Sequence, residues 1–264
     1  MNFGLIIVGD EILSGKRQDK HLPKVIELLT ARGLRLSWAR YVGDERERIT
    51  AVIRDAQASG DVVFSCGGIG ATPDDHTRQC AAAALGLGLA LHPTAKALIL
   101  ERMKDVAAEQ GVAFEPDRAD NVHRLNMGVF PVGADIIANP YNKIPGFSLG
   151  HLHFVPGFPV MAWPMIESLL DGPYAHLHGA QRQTERSVIV FGAMEASLTP
   201  LMEALEVEHP GIKVFSLPSV DHPQWGRHIE LGVKGSEAAS LEAFAALKGK
   251  LHHFRASLGP EVVR

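Results

Sequence analysis

The chain has 264 residues, of which 46% are hydrophobic, and a formal net charge of −4. That balance provides the core of one large domain or two moderate ones, and it argues against nucleic-acid binding by bulk electrostatics. Two cysteines, Cys66 and Cys80, give neither a disulfide framework nor zinc spacing. The apolar run Leu5–Val8 is far too short for a signal peptide or a membrane span, so a cytoplasmic protein without membrane contact is expected.

In chain order, Phe3–Val8 reads as a strand buried on both faces. A polar loop, Gly9–Gly15, leads to a helix with Leu22, Val25, Ile26 and Leu29 on one face, ended by Gly33. Leu34–Val42 is a second strand, followed by Gly43-Asp44-Glu45 and a helix carrying Ile49, Val52, Ile53 and Ala56. Asp61–Ser65 is a third strand. This β-α-β-α-β order predicts a mainly parallel sheet in an α/β fold, with ligands beyond the carboxyl ends of the strands. A helix with Ile99, Leu100, Met103, Val106 and Ala107 follows, then strands at Ala134–Ala138 and Phe147–Val155, the latter folded at Gly150 into a hairpin. Val155-Pro156-Gly157-Phe158-Pro159 turns into a helix from about Val160 to Leu170. Composition changes near Asp171-Gly172-Pro173, which divides the chain into a domain over 1–172 and a small α+β domain over 182–264. The tail reads strand (Ser187–Phe191), helix (Leu198, Leu201, Met202, Leu205), strands (Lys213–Leu217 and Arg227–Val233) and a helix with Leu241, Phe244, Leu247, Leu251 and Phe254.

Cys66-Gly67-Gly68-Ile69-Gly70-Ala71-Thr72-Pro73-Asp74-Asp75-His76-Thr77 joins the third strand to an alanine-rich helix expected to begin near Asp74. Three glycines in four positions let backbone N–H groups approach a ligand, and a helix N-terminus suits a phosphate. Adjacent carboxylates suit a divalent cation between themselves and phosphate oxygens. The loop matches neither the dinucleotide fingerprint, since Pro73 stands where its third glycine belongs, nor a P-loop.

With these residues in place, residues 1–170 resemble the molybdopterin-binding domains of the MoaB/Mog type, and more closely the N-terminal part of the competence/damage-inducible protein A (CinA) family. The resemblance rests on Val8-Gly9-Asp10-Glu11-Ile12-Leu13-Ser14-Gly15, Val42-Gly43-Asp44-Glu45, the Gly67–Thr77 segment, Asn139-Pro140, Pro145-Gly146-Phe147 and Pro156-Gly157-x-Pro159. The tail is similar to the KH-like β-α-β-β-α module of longer members. Their C-terminal amidohydrolase domain has no counterpart in these residues, so deamidation of nicotinamide nucleotide is not expected.

The resemblance implies a molybdopterin or pyrophosphate-containing nucleotide as ligand, held with Mg²⁺ or another divalent ion such as Mn²⁺ or Co²⁺. The alternative it implies is a metal-dependent pyrophosphatase acting on ADP-ribose-like dinucleotides. By motif, Asp44 and Asp75 match the aspartates tied to catalysis, and Asp10, Asp74 and Asp75 form the expected metal set. Gly67, Gly68, Gly70, Thr72, Thr77, Ser14 and Lys143 are the expected ligand contacts. Asp44 also has a plainer reading, as N-cap of the helix at Glu45. Related domains self-associate, so a homo-oligomer is expected.

Two departures bear on turnover. Asn142-Lys143-Ile144 replaces the usual Gly-Thr before Pro-Gly-Phe, and Val160-Met161-Ala162 is apolar where an acid is common after Pro159. Loss of an acid serving metal or water would leave a binder without turnover. Ala71 replaces a usual proline. His151 and His153 share a strand face but lack a third ligand nearby, and Cys66 lacks a histidine partner, so neither is expected in chemistry. His252 and His253, with Arg46 and Arg48, read as solvated. No G-x-x-G loop between helices is expected in the tail, so RNA binding is not expected either.

Overall fold

The computed structural model describes residues 1–180, 183–254 and 256–264. They form two compact units, Met1–Ala180 and Gln181–Arg264. Arg182, where the sequence places the start of the tail, lies outside the described residues.

The first unit runs β1 (Phe3–Val8), α1 (Asp10–Leu13), α2 (His21–Ala31), β2 (Leu36–Val42), α3 (Arg46–Ser59), β3 (Val62–Cys66), α4 (Thr77–Leu85), β4 (Leu89–Leu91), α5 (Pro93–Glu109) and α6 (Ala119–Arg124). It continues with β5 (Val129–Pro131), β6 (Asp135–Ile137), β7 (Gly146–Leu149), β8 (Leu152–Val155) and α7 (Pro159–Asp171). The central sheet has the order β2-β1-β3-β8-β7-β6. The β1–β2, β1–β3 and β3–β8 pairs are parallel, and β7 and β6 extend the sheet antiparallel.

The uninterrupted apolar run of β1 is explained by burial on both sides. Phe3, Leu5 and Ile7 pack with Val25, Leu28 and Leu29 of α2 and with Met165 and Ile166 of α7. Ile6 and Val8 face the other way, against Ile49 and Ile53 of α3 and Ala81 of α4. On that second side Phe130, Phe147 and Phe154 stack in series, with centroids 4.7 and 4.5 Å apart. Helices on both faces of a mainly parallel sheet make the three-layer α/β fold expected from the element order.

Several local expectations change. Ile26 stays 45% exposed because the buried stripe of α2 is His21, Val25, Leu28 and Leu29. The loop after β1 contains the short helix α1. The helix after the glycine loop begins at Thr77 rather than near Asp74, with His76 as its N-cap, so both aspartates lie in the loop. The reason is a turn closed by Asp75 N–H to Thr72 C=O at 3.0 Å.

The second unit consists of β9 (Thr184–Phe191), α8 (Glu195–Glu208), β10 (Lys213–His222), β11 (Gly226–Gly235), α9 (Glu237–Leu251) and β12 (Ser257–Val263). Its sheet is antiparallel in the order β10-β11-β9-β12. Strand β12 extends the expected β-α-β-β-α order; Gly259 and Pro260 hide it, because they sit at a register irregularity between Leu258 and Glu261 on an edge strand. Leu241 is 56% exposed, and α9 instead buries Ser240, Ala243, Phe244, Leu247 and Leu251. Gly232-Val233-Lys234-Gly235 spells a G-x-x-G pattern but lies within β11, not in a loop between helices.

Candidate functional site

Strands β1, β2, β3 and β8 run parallel, so the loops after Val8, Val42, Cys66 and Val155 emerge at one edge of the sheet. Backbone bonds tie these loops together. Gly9 N–H donates to Val42 C=O and Gly67 N–H to Val155 C=O, both at 3.0 Å.

The glycine loop is shaped by what lies against it. Gly67 and Gly68 have φ of 106° and 71°, in the region that disfavours side chains. A Cβ on Gly67 would lie 2.4 Å from Val8 C=O, one on Gly68 2.2 Å from Thr77 Oγ1, and one on Gly70 2.5 Å from Asp75 Oδ2. Among the described residues, the amides of Gly68, Ile69, Gly70 and Ala71 have no protein acceptor. Unpaired amides along such a turn form a concavity suited to an anion.

The acidic side chains are held by backbone donors. Asp44 Oδ2 accepts from Asp10 N–H at 3.0 Å, and Asp10 Oδ1 accepts from Asp44 N–H at 3.2 Å. Gly43 makes this exchange possible, since a Cβ there would lie 2.5 Å from Asp10 Oδ1. Asp44 does not cap α3, whose N-cap is Glu45 without a side-chain bond; it holds the first residue of α1 instead. Burial pushes the Asp44 carboxyl above the usual carboxylate range; the Asp10 amide opposes this, and the charges of Asp10, Glu11 and Asp74 reinforce it. Asp75 Oδ2 accepts from Thr72 N–H at 2.9 Å and from Thr72 Oγ1 at 2.5 Å. Among the described residues, one oxygen of Asp44 and one of Asp75 therefore have no hydrogen-bond donor.

These loops enclose a cleft of about 440 Å³, a size suited to a small organic ligand. Its polar side carries Asp44, Asp74, Asp75 and the glycine loop. Ile144, Phe158 and Met161 supply an apolar side, and Arg17 lies over the Phe158 ring at 5.9 Å. The turn bearing Phe158 is fixed from below, where the buried His21 Nε2 bonds Gly157 C=O at 2.9 Å.

Of the residues expected from sequence, Asp44, Gly67, Gly68, Gly70, Thr72, Asp74 and Asp75 line this cleft. Asp10 stands behind it as the partner of Asp44. Thr77 is fully buried, and its hydroxyl donates to Gly67 C=O at 3.0 Å, so it shapes the loop rather than lining the cleft. Ser14 is exposed outside the cleft lining, its amide closing α1 on Asp10 C=O. Lys143, at φ 66°, reaches away to α5 and pairs with Glu101 at 2.6 Å and Asp105 at 2.7 Å. Those two acids hold its ammonium outside the cleft lining.

Sequence reasoning missed Arg17, Met127 and Phe158 as lining residues. Phe158 sits inside a quoted motif and could have been found there; Met127 is carried by a connection with no motif. Asn142 bonds Met161 sulfur at 3.7 Å, so the two departures from the family pattern meet in the cleft wall. Among the described residues no three His, Cys, Asp or Glu side chains converge enough to hold a metal ion unaided.

His151 lies in the hairpin turn, and His153 is buried with Nδ1 2.7 Å from Ser148 Oγ and Nε2 2.7 Å from Tyr174 Oη, leaving no nitrogen for a metal. Burial pushes the Cys66 thiol up, which keeps it unreactive. Among the described residues, no helix is long and apolar enough to cross a membrane.

This edge of the sheet and its cleft belong to a recognised class: residues 4–176 match the family described as probable molybdopterin binding domain, and the chain belongs to that family. A CinA-like protein of Syntrophotalea carbinolica is 29% identical over 81% of this chain and 53% of its own length. A protein of Pyrobaculum calidifontis is 29% identical over 92% of each chain. The solved structure of the protein CinA from Thermoplasma acidophilum superposes with a TM-score of 0.53 at 27% identity, covering 64% of this chain and 96% of that one. The chain spans between 38% and 61% of the length of several curated CinA-like relatives it matches.

Proposed function

We propose that the cleft binds a pterin or nucleotide through its pyrophosphate, together with a divalent cation. The observation that carries this reading is the pairing, in one cleft, of unbonded loop amides with the free oxygens of Asp44 and Asp75. Amides alone would suit a bare anion and the carboxylates alone would repel it. A cation reconciles them, because Mg²⁺ is commonly held by one or two carboxylates plus substrate phosphates rather than by an all-protein cage. A cation would also relieve the crowding of negative charge at Asp44. Asp44 and Asp75 would hold the cation with Asp74 adding negative charge beside them, the amides of Gly68 to Ala71 the phosphate oxygens, and the apolar side the ring.

Hydrolysis of an ADP-ribose-like dinucleotide is the second reading, favoured by the free oxygen of Asp44 and the raised affinity of its carboxyl for a proton. The cation would mask pyrophosphate charge. Asp44 would orient an attacking water and take its proton, while the glycine loop holds the phosphorus in line. Met161, apolar at the cleft wall, weighs toward binding alone.

Calorimetric titration of ADP-ribose and of molybdopterin, with Mg²⁺ and with EDTA, tests the first reading. Binding of either that requires metal is expected; no binding of either to folded protein in Mg²⁺ would refute it. Release of AMP from ADP-ribose with Mg²⁺, Mn²⁺ or Co²⁺, abolished in Asp75→Ala, would support the second reading, and no release would exclude it.

A further inference from the structure

Behind the Thr72–Asp75 turn lies a second cavity, of about 310 Å³, whose lining differs in charge from the main cleft. The main cleft sets Glu11, Asp44, Asp74 and Asp75 against Arg17. The second sets Arg46 and Arg78 against Asp75, with His76 and His123 beside them. Arg78 is 4% exposed, a buried cation at the start of α4. Its Nη2 donates to Gly70 C=O at 2.6 Å, whereas Nε is buried without an acceptor. A buried guanidinium N–H left unpaired costs free energy that an anion would recover. The neighbouring Gln79 Oε1 is likewise buried without a partner, and it requires a donor. An unmet donor and an unmet acceptor thus belong to two residues that line one cavity.

The far wall is set by α6 and the turn after it. His123 Nε2 bonds Ala71 C=O at 3.0 Å, and Asn126 Nδ2 lies 3.3 Å from His123 Nδ1. With Nε2–H given to the carbonyl, Nδ1 accepts from the Asn126 amide. Arg46, at the start of α3, brings an exposed guanidinium to the mouth.

We propose that this cavity is a separate binding site for a phosphate group that has a hydroxyl on it or next to it. The dianion pairs with Arg78 and Arg46, and the O–H donates to Gln79. Orthophosphate supplies the O–H itself; a sugar phosphate supplies it from the sugar. Sulfate, fully ionised, has the charge without the donor. The site does not depend on the proposed function of the main cleft, whose crowded carboxylates repel phosphate when no divalent cation is present.

The test is calorimetric titration of the full chain in EDTA with orthophosphate, ribose 5-phosphate and sulfate. Saturable binding of a phosphate is expected, at least fivefold tighter than sulfate. Arg46→Glu should weaken it at least tenfold and Arg78→Met should abolish it, whereas Phe158→Ala, in the other cleft, should leave it within twofold. Tighter binding of ribose 5-phosphate than orthophosphate would assign the hydroxyl to a sugar, and the reverse order to the phosphate. Absence of binding to the wild type, or binding by Arg46→Glu equal to the wild type, would overturn the site. Loss in Phe158→Ala would place the anion in the main cleft and overturn it too. If Arg78→Met does not fold, Arg46→Glu decides, since that side chain is exposed.

Discussion

His153 sets a pH limit on the stability of the first unit. Burial, with the nearby His151 adding to it, lowers its pKa from 6.5 to about 4, and Ser148 and Tyr174 occupy both ring nitrogens. In the unfolded chain the ring takes a proton below about pH 6.5. In the native chain it does so only near pH 4, so its contribution is complete above the unfolded pKa and is lost as pH falls through this window. The full loss is ~3 kcal/mol, and the portion between pH 7 and pH 5 is ~2 kcal/mol, from about 1.4 kcal/mol per pKa unit. His153→Gln keeps a polar side chain that does not titrate. Urea denaturation at pH 7 and pH 5 should therefore show the wild type losing ~2 kcal/mol more than the variant, whatever the variant's own stability. A Trp225→Phe background leaves Trp38 and Trp163 as fluorescent reporters of this unit. Titrations remote from His153 are common to both proteins and cancel. Equal pH dependence in the two, within about 0.5 kcal/mol, would refute the reasoning.

Three further outcomes follow from the site. Gly68→Ala puts a Cβ 2.2 Å from Thr77 Oγ1 at φ 71°, so it should cost ~2–3 kcal/mol and blunt ligand binding; an unchanged urea midpoint would show that the loop yields freely. Asp44→Asn keeps an acceptor for the Asp10 amide and removes a disfavoured charge, so its melting temperature should equal or exceed the wild type while metal-dependent ligand affinity falls at least tenfold by calorimetry. The raised Asp44 pKa also means that wild-type metal affinity begins to fall at higher pH than for an ordinary aspartate, a dependence that Asp44→Asn should flatten. Lys143→Ala should bind ligand within twofold of the wild type, because its ammonium pairs with Glu101 and Asp105; a tenfold loss would put it back on the phosphate.

The sequence by itself determined the layered α/β arrangement of the first 170 residues, because burial of β1 on both faces and the 3.6-residue stripes of α2 and α3 are local and periodic. It also determined most of the polar side of the cleft, since the glycines and aspartates follow directly from strand ends that the topology gathers at one edge. Tertiary structure alone decided which of those residues line the cleft. Thr77 and Lys143 have the right chemistry in the right motifs, but a buried carbonyl claims one and two acids of α5 claim the other. The helix start moved to Thr77 because a turn from Thr72 to Asp75 outcompeted helical extension, a choice between two local hydrogen-bond patterns that composition does not resolve. Strand β12 was unreadable for a similar reason: glycine and proline mark a break in sequence, yet pairing with β9 supplies the register from outside the segment. Met127 and the cavity at Arg78 were hidden most completely, since both depend on α6 and the turn after it folding over the glycine loop, a contact between segments that share no motif and no period.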